Sequence, residues 1–142
     1  MAPYDQYLEQ SILTASPIEL IRTVYRLILE SVQDAARCID TGDIAARGKA
    51  VTKATDGIVE LLTSLNHQDG GAISQNLAEL YGYMASRLLQ GHMDQNRAPF
   101  DEVEKLVTTL LDAWDALEST PPPAEAVYGA VSEAYTPVSA SF

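Results

Sequence analysis

Cysteine is all but missing: Cys38 is the only one in 142 residues. One thiol closes no internal disulfide, and Cys38 lies inside an apolar-periodic run, which predicts a packing role rather than redox or nucleophilic chemistry. Histidine is nearly as scarce, limited to His67 and His92. A carboxylate-bridged di-metal bundle needs inward-facing Glu-x-x-His pairs. Ser64 stands three residues before His67 and Leu89 three before His92, so neither pair exists. Both histidines fall in or near expected loops and read as solvated, whereas a phosphotransfer bundle would need one in mid-helix. No Ser/His/Asp set, Cys/His set or metal-ligand spacing is found. The expectation is a non-enzyme with no metal and no cofactor.

Bases are also in short supply, nine Lys and Arg against twenty Asp and Glu, for a net charge of −11. That field repels nucleic acid and anionic membrane surfaces alike. The imbalance grows along the chain: residues 1–66 hold nine acids and six bases, residues 67–142 eleven and three. No apolar run approaches the roughly 20 residues of a membrane span, so no membrane insertion is expected. No basic-then-apolar leader opens the chain, and a reducing, cytoplasmic location is expected. Gly42–Lys49 looks at first like a phosphate loop. Five residues separate Gly42 from Gly48 where four are required, Ala50 stands where Ser or Thr is required, and a helix rather than a strand precedes it.

What is present is helical. Hydrophobic residues make up 46 % of the chain and aromatics only 7 %, with Ala and Leu leading. The length suits one domain that buries roughly two-thirds of its unfolded surface. Ser16-Pro17-Ile18-Glu19 is a capping box with proline at the first helical position. Ile21, Val24, Tyr25, Ile28, Val32, Ala35, Ala36 and Ile39 follow it at helical period up to Gly42. Asp43 caps a second helix with the stripe Ile44, Val51, Ala54, Ile58, Leu61, Leu62 and Leu65. Asn66 to Gly71 read as a loop. A third helix over about 72–93 carries Ile73, Leu77, Leu80, Tyr81, Met84, Leu88 and Leu89. After Arg97-Ala98-Pro99 a fourth carries Phe100, Val103, Leu106, Val107, Leu110, Ala113, Trp114 and Leu117, with its acids on the solvated face. Short connections make successive helices antiparallel neighbours. The fold class is therefore all-α, an up-down four-helix bundle over 16–118, with an N-terminal arm over 1–15 and a Pro-containing tail over 119–142.

Two features exceed what a plain bundle needs. Gly48, Gly57, Gly82 and Gly91 fall inside helical runs, which predicts close helix approach or a groove floor. Paired apolar residues such as Leu61/Leu62 and Leu88/Leu89 widen the stripes, leaving surface for a binding groove or a homodimer face.

Three dispersed blocks follow one another in the chain. The first is Tyr4-x-x-Tyr7-x-x-Gln10-Ser11 with Leu13-Thr14-Ala15-Ser16-Pro17-x-Glu19-Leu20-Ile21. The second is Leu65, then Gly70-Gly71-x-Ile73-x-x-Asn76-Leu77-x-x-Leu80-Tyr81-x-Tyr83-Met84-x-x-Arg87-Leu88. The third is Glu102-Val103 and Asp112-Ala113-Trp114. In this order they resemble the arm and first helix, the third helix and the last helix of the FliS-type flagellin export chaperones. Gln10, Gly82, Ser86 and Gly91 depart from the usual residues. The resemblance covers about residues 4–118. It implies a chaperone that holds the disordered C-terminal segment of flagellin, prevents premature polymerisation and supports its type III export, with the flagellar export gate as a further partner. The alternative is a helical adaptor bundle for another flagellar protein.

Stripes and blocks together give candidate partner-binding residues: Ile21, Tyr25, Leu62, Leu65, Tyr81, Met84 and Leu88 on the bundle, and Tyr4, Tyr7, Ile12 and Leu13 on the arm. The arm is expected to be a detachable apolar cover of the groove. In the tail, Ala126, Val127, Tyr128, Val131, Ala134, Tyr135 and Val138 fall near helical spacing. A helix this short, interrupted by Gly129, is marginal alone. The tail either docks on an apolar strip of its own bundle or a neighbouring copy and competes with the partner, or stays unordered.

Overall fold

The computed structural model describes residues 17–116 together with Val127 and Tyr128. The first of these stretches forms four α-helices: α1 Pro17–Thr41, α2 Ile44–Ser64, α3 His67–Asp94 and α4 Ala98–Ala116. α1 packs against α2 and α4, and α3 closes the ring against the same two. The result is the expected antiparallel bundle. Two ion pairs mark the α1–α4 register. Arg22 Nε lies 3.2 Å from Asp115 Oδ1 at one end, and Arg97 pairs with Asp40 at the other.

Each helix buries the central part of the stripe its period predicts. α1 contributes Ile21, Tyr25, Ile28, Val32 and Ala35, and α2 contributes Val51, Ala54, Ile58 and Leu61. α3 adds Tyr81, Met84 and Leu88, and α4 adds Phe100, Val103, Val107 and Trp114. Full burial of such a side chain contributes about 1.5–3 kcal/mol, most of it offset by the entropy of ordering the chain. α1 and α2 approach closely because Gly57 has no side chain: a Cβ there would stand 2.6 Å from Ile28 Cγ1.

Local chemistry sets the helix ends. Gly42 takes φ 72 between α1 and α2, a left-handed backbone that glycine adopts without strain. Asp43 then caps α2, its side chain accepting from Ala46 N at 3.0 Å. Before α4, the Asn96 side chain accepts from Ala98 N at 3.0 Å. The Ser16 cap of α1 lies outside the described residues.

Three expectations are corrected. Asn66–Gly71 is not a loop but the opening of α3: the Asn66 side chain accepts from Asp69 N at 3.0 Å and helix follows at once. The glycine pair marks a kink inside that helix, where Gly71 takes φ 51 and ψ −126. Ile44, Ile73 and Leu89, expected on buried stripes, are 59 %, 55 % and 55 % exposed, because the apolar stripes are wider than the faces that meet. His92 is not solvated freely: its Nδ1 accepts from Arg47 Nε at 3.0 Å and its carbonyl from Arg47 Nη2 at 3.2 Å. That pairing lets the Arg47 guanidinium be buried where α2 meets α3.

Candidate partner-binding site

Antiparallel order brings the start of α1, the end of α2, the start of α3 and the end of α4 to one end of the bundle. Three aromatic side chains converge there. Tyr25 of α1 and Tyr81 of α3 have ring centroids 6.4 Å apart at 59°. Tyr25 and Trp114 of α4 are 6.5 Å apart at 43°. A buried phenol must place its hydroxyl on a partner, and the hydroxyls of Tyr25 and Tyr81 bond to each other.

Val127 and Tyr128 complete this cluster from beyond α4. The Tyr128 ring stands edge-on to Trp114, 5.2 Å between centroids at 64°, and its hydroxyl bonds to that of Tyr81. The Val127 carbonyl accepts from Asn66 N at 2.8 Å. Asn66 is held for this by its own contacts: its carbonyl accepts from Gly70 N at 2.8 Å and from Ser74 Oγ at 2.8 Å. Val127 is 3 % and Tyr128 1 % exposed, as deep as the helix core. One donor is left over. Trp114 Nε1 is buried near the Tyr25 hydroxyl but forms no hydrogen bond of normal geometry among the described residues.

Burial is the largest influence on all three phenols and pushes each above its ordinary value. They stay neutral across the physiological range and act as donors and acceptors, not charges. The site is thus apolar, uncharged and edged with a few directional hydrogen-bonding groups. It suits packing against an apolar segment and offers no activated nucleophile or general base. Among the described residues no group of three His, Cys, Asp or Glu is arranged to hold a metal ion. None of the described helices is long and apolar enough to cross a membrane.

A second cluster, on the exposed α3–α4 face, explains part of the sequence pattern. Glu102 accepts from Arg87 Nε at 2.6 Å and from the Tyr83 hydroxyl at 2.7 Å. The Tyr83 hydrogen bond first, and Arg87 second, hold the Glu102 carboxyl below its usual value, while Glu102 pushes the Tyr83 phenol up. Tyr83 and Arg87 come from one sequence block and Glu102 from another, and they meet here as a clip between helices.

Of the candidate residues, Ile21, Tyr25, Leu65, Tyr81, Met84 and Leu88 are buried. Leu62 is half-buried at the rim. Ile21, Tyr25, Leu62, Leu65 and Tyr81 belong by helix position to the aromatic end, whereas Met84 and Leu88 lie farther along α3. Tyr4, Tyr7, Ile12 and Leu13 lie outside the described residues. The sequence reading missed Asn66 and Trp114 as site residues. Asn66 followed by Asp69 carries a capping signal that could have flagged the first. Trp114 was visible as one position of a core stripe and within the Asp112-Ala113-Trp114 block, neither of which marked it as a binding residue.

Residues 1–121 match the family described as "Flagellar protein FliS". The chain is similar to the flagellar secretion chaperone FliS of Salmonella typhimurium, 35 % identical over 107 residues, covering 75 % of this chain and 79 % of that one. Its likeness to FliS of Bacillus subtilis is 33 % over 112 residues, 79 % and 83 % of the two chains. With the flagellar secretion chaperone FliSB of Pseudomonas aeruginosa it shares 29 % identity over 118 residues, 82 % and 94 %.

Proposed function

The chain belongs to the FliS family of flagellar proteins, and from that membership we propose that it is a cytosolic chaperone that binds the C-terminal segment of flagellin. Holding that segment keeps flagellin from polymerising early and presents it for type III export through the flagellar export gate. The observation that carries this reading is the family match across residues 1–121, with relatives named as flagellar secretion chaperones.

The site chemistry supports it. A neutral aromatic end with few directional groups suits an apolar segment that orders on a preformed surface. Ordering that segment costs several kcal/mol of contact energy, so affinity is expected at roughly nM to low μM, and release remains feasible. Leu62 is reachable directly, while Ile21, Tyr25, Leu65, Tyr81, Met84 and Leu88 contribute once what covers them is displaced. Tyr4, Tyr7, Ile12 and Leu13 of the arm are proposed as part of that cover. The mechanism is occupancy: a flagellin segment held here is withdrawn from filament contacts without any covalent step.

Titration calorimetry of the full chain with the C-terminal segment of its cognate flagellin tests the reading. Saturable binding in that affinity range is expected. No complex by calorimetry and by co-elution would overturn it.

A further inference from the structure

The aromatic end already holds a guest. Tyr128 and Val127 are not part of the four helices, yet they are buried as fully as the core. They fill a place defined by three groups of the bundle: the Trp114 ring, the Tyr81 hydroxyl and the Asn66 N–H. As the capping residue of α3, Asn66 has no helical acceptor for its own N–H, so that donor is free for a carbonyl from outside the bundle. The Tyr81 hydroxyl likewise has bonding capacity beyond Tyr25.

The fit is good but incomplete. Among the described residues Trp114 Nε1, buried beside the Tyr25 hydroxyl, finds no hydrogen bond of good geometry while Tyr128 is in place. A buried donor left short carries a penalty that a segment offering an acceptor would relieve. The Tyr128 hydroxyl bonds to that of Tyr81. The seat therefore holds its present occupant with a flaw that a different occupant can mend.

We propose that Val127–Tyr128 is an internal plug, a segment of the chain itself that occupies the partner site at rest and is displaced when the partner segment binds. This rests on the reading that the bundle binds such a segment. Residues 117–126 tether the plug to α4, which gives it an effective concentration near the mM range. A weak seat is then mostly filled, and a partner must compete with it. The partner that succeeds offers a backbone carbonyl to Asn66, an apolar or aromatic side chain against Trp114, and an acceptor to Trp114 Nε1.

Trp114 is the only tryptophan, so its emission reports the seat directly. Tyr128→Ala in the full chain is expected to shift Trp114 emission towards that of exposed indole and to tighten binding of the flagellin C-terminal segment about tenfold. Tyr128→Phe, which keeps the ring and loses the hydroxyl, is expected to fall between. A synthetic peptide of residues 119–142, added to a chain truncated at Ser119, is expected to restore the parent emission and to slow flagellin binding. Shifted emission with an unchanged Kd would show a fixed part of the fold and overturn the plug. Unchanged emission in the Tyr128→Ala chain, or no response to the peptide, would overturn it as well. If the alanine variant loses its helical circular dichroism, the phenylalanine variant and the peptide decide. A parent dimer that becomes monomeric on truncation would place the plug in a neighbouring copy and refute the internal arrangement. Flagellin binding to no form would sink the flagellin reading alone, since the peptide assay needs no flagellin.

Discussion

The Tyr81 hydroxyl stands between two others, bonded to Tyr25 on one side and Tyr128 on the other. Tyr81→Phe removes both of these bonds, whereas Tyr25→Phe or Tyr128→Phe removes one of them. Urea denaturation should show a loss of about 1–3 kcal/mol for Tyr81→Phe and about 1 kcal/mol for either neighbour. Equal losses would mean the three hydroxyls act independently. Because burial raises all three phenols in the folded chain, their contribution is complete below the ordinary tyrosine pKa of about 10 and is lost as pH rises beyond it. Alkaline titration by tyrosinate absorbance should therefore show these phenols ionising together with unfolding. Glu102 has the opposite sign. Its lowered carboxyl stabilises fully above the usual carboxylate range, and the contribution disappears as pH falls through it. Thermal melts of Glu102→Gln across acid pH should show a flatter decline than the parent, and an identical acid limb would remove Glu102 from the account. Leu62, half-buried at the rim, is the candidate that can be changed without opening the core. Leu62→Asp should keep its helical circular dichroism and weaken flagellin binding about tenfold, the expected order for one desolvated contact. At this scale the sequence was readable as to most inward side chains, Ile44, Ile73 and Leu89 being exposed instead. It did not say which polar atom meets which, because period and hydropathy carry no information on hydroxyl direction.

Among the elements, the α2–α3 junction departs most from what composition suggests. Two adjacent glycines read as a loop, yet Asn66 starts a helix and Gly71 only bends it. The backbone of Gly71, φ 51 and ψ −126, is a region that side chains with a Cβ avoid. Gly71→Ala should therefore cost about 1–3 kcal/mol although alanine is the better helix former. Gly57→Ala should also destabilise, for a different reason: its backbone is ordinary, but the new methyl would collide with Ile28 and force α1 and α2 apart. Thermal unfolding separates these accounts, since Ile28→Ala, which removes the colliding Cγ1, should cost less in the Gly57→Ala chain than in the parent and cost the same in the Gly71→Ala chain. A stabilised Gly57→Ala chain would show that the helix spacing is set elsewhere. Asp43 was legible as a cap because a helical stripe begins directly after it. Asn66 was not, because the glycines behind it carry the stronger local signal.

For the molecule as a whole, four amphipathic runs and short connections were enough to read the bundle, since short connections make successive helices antiparallel neighbours. The seat of Val127–Tyr128 was not fixed by that reading. The tail's period allowed docking but named no receiving surface, and the family match stops at residue 121, short of these two residues. The antiparallel order has a mechanical consequence. α1 and α4 are neighbours, and Pro17 and Ala116 lie at the same end, with Arg22–Asp115 near that end and Asp40–Arg97 at the far one. Tension applied between Pro17 and Ala116 pulls α1 and α4 apart like a zipper, one turn at a time. The Arg22–Asp115 pair and the Trp114 seat part first, and Asp40–Arg97 parts last. Attachment at Thr41 and Ala116 would instead load the same pair of helices in shear, and single-molecule stretching should need a higher force there. Equal forces in the two geometries would show that the bundle yields elsewhere. A hauling machine that grips the chain on either side of the bundle would thus loosen the partner's seat while the far half of the bundle is still folded.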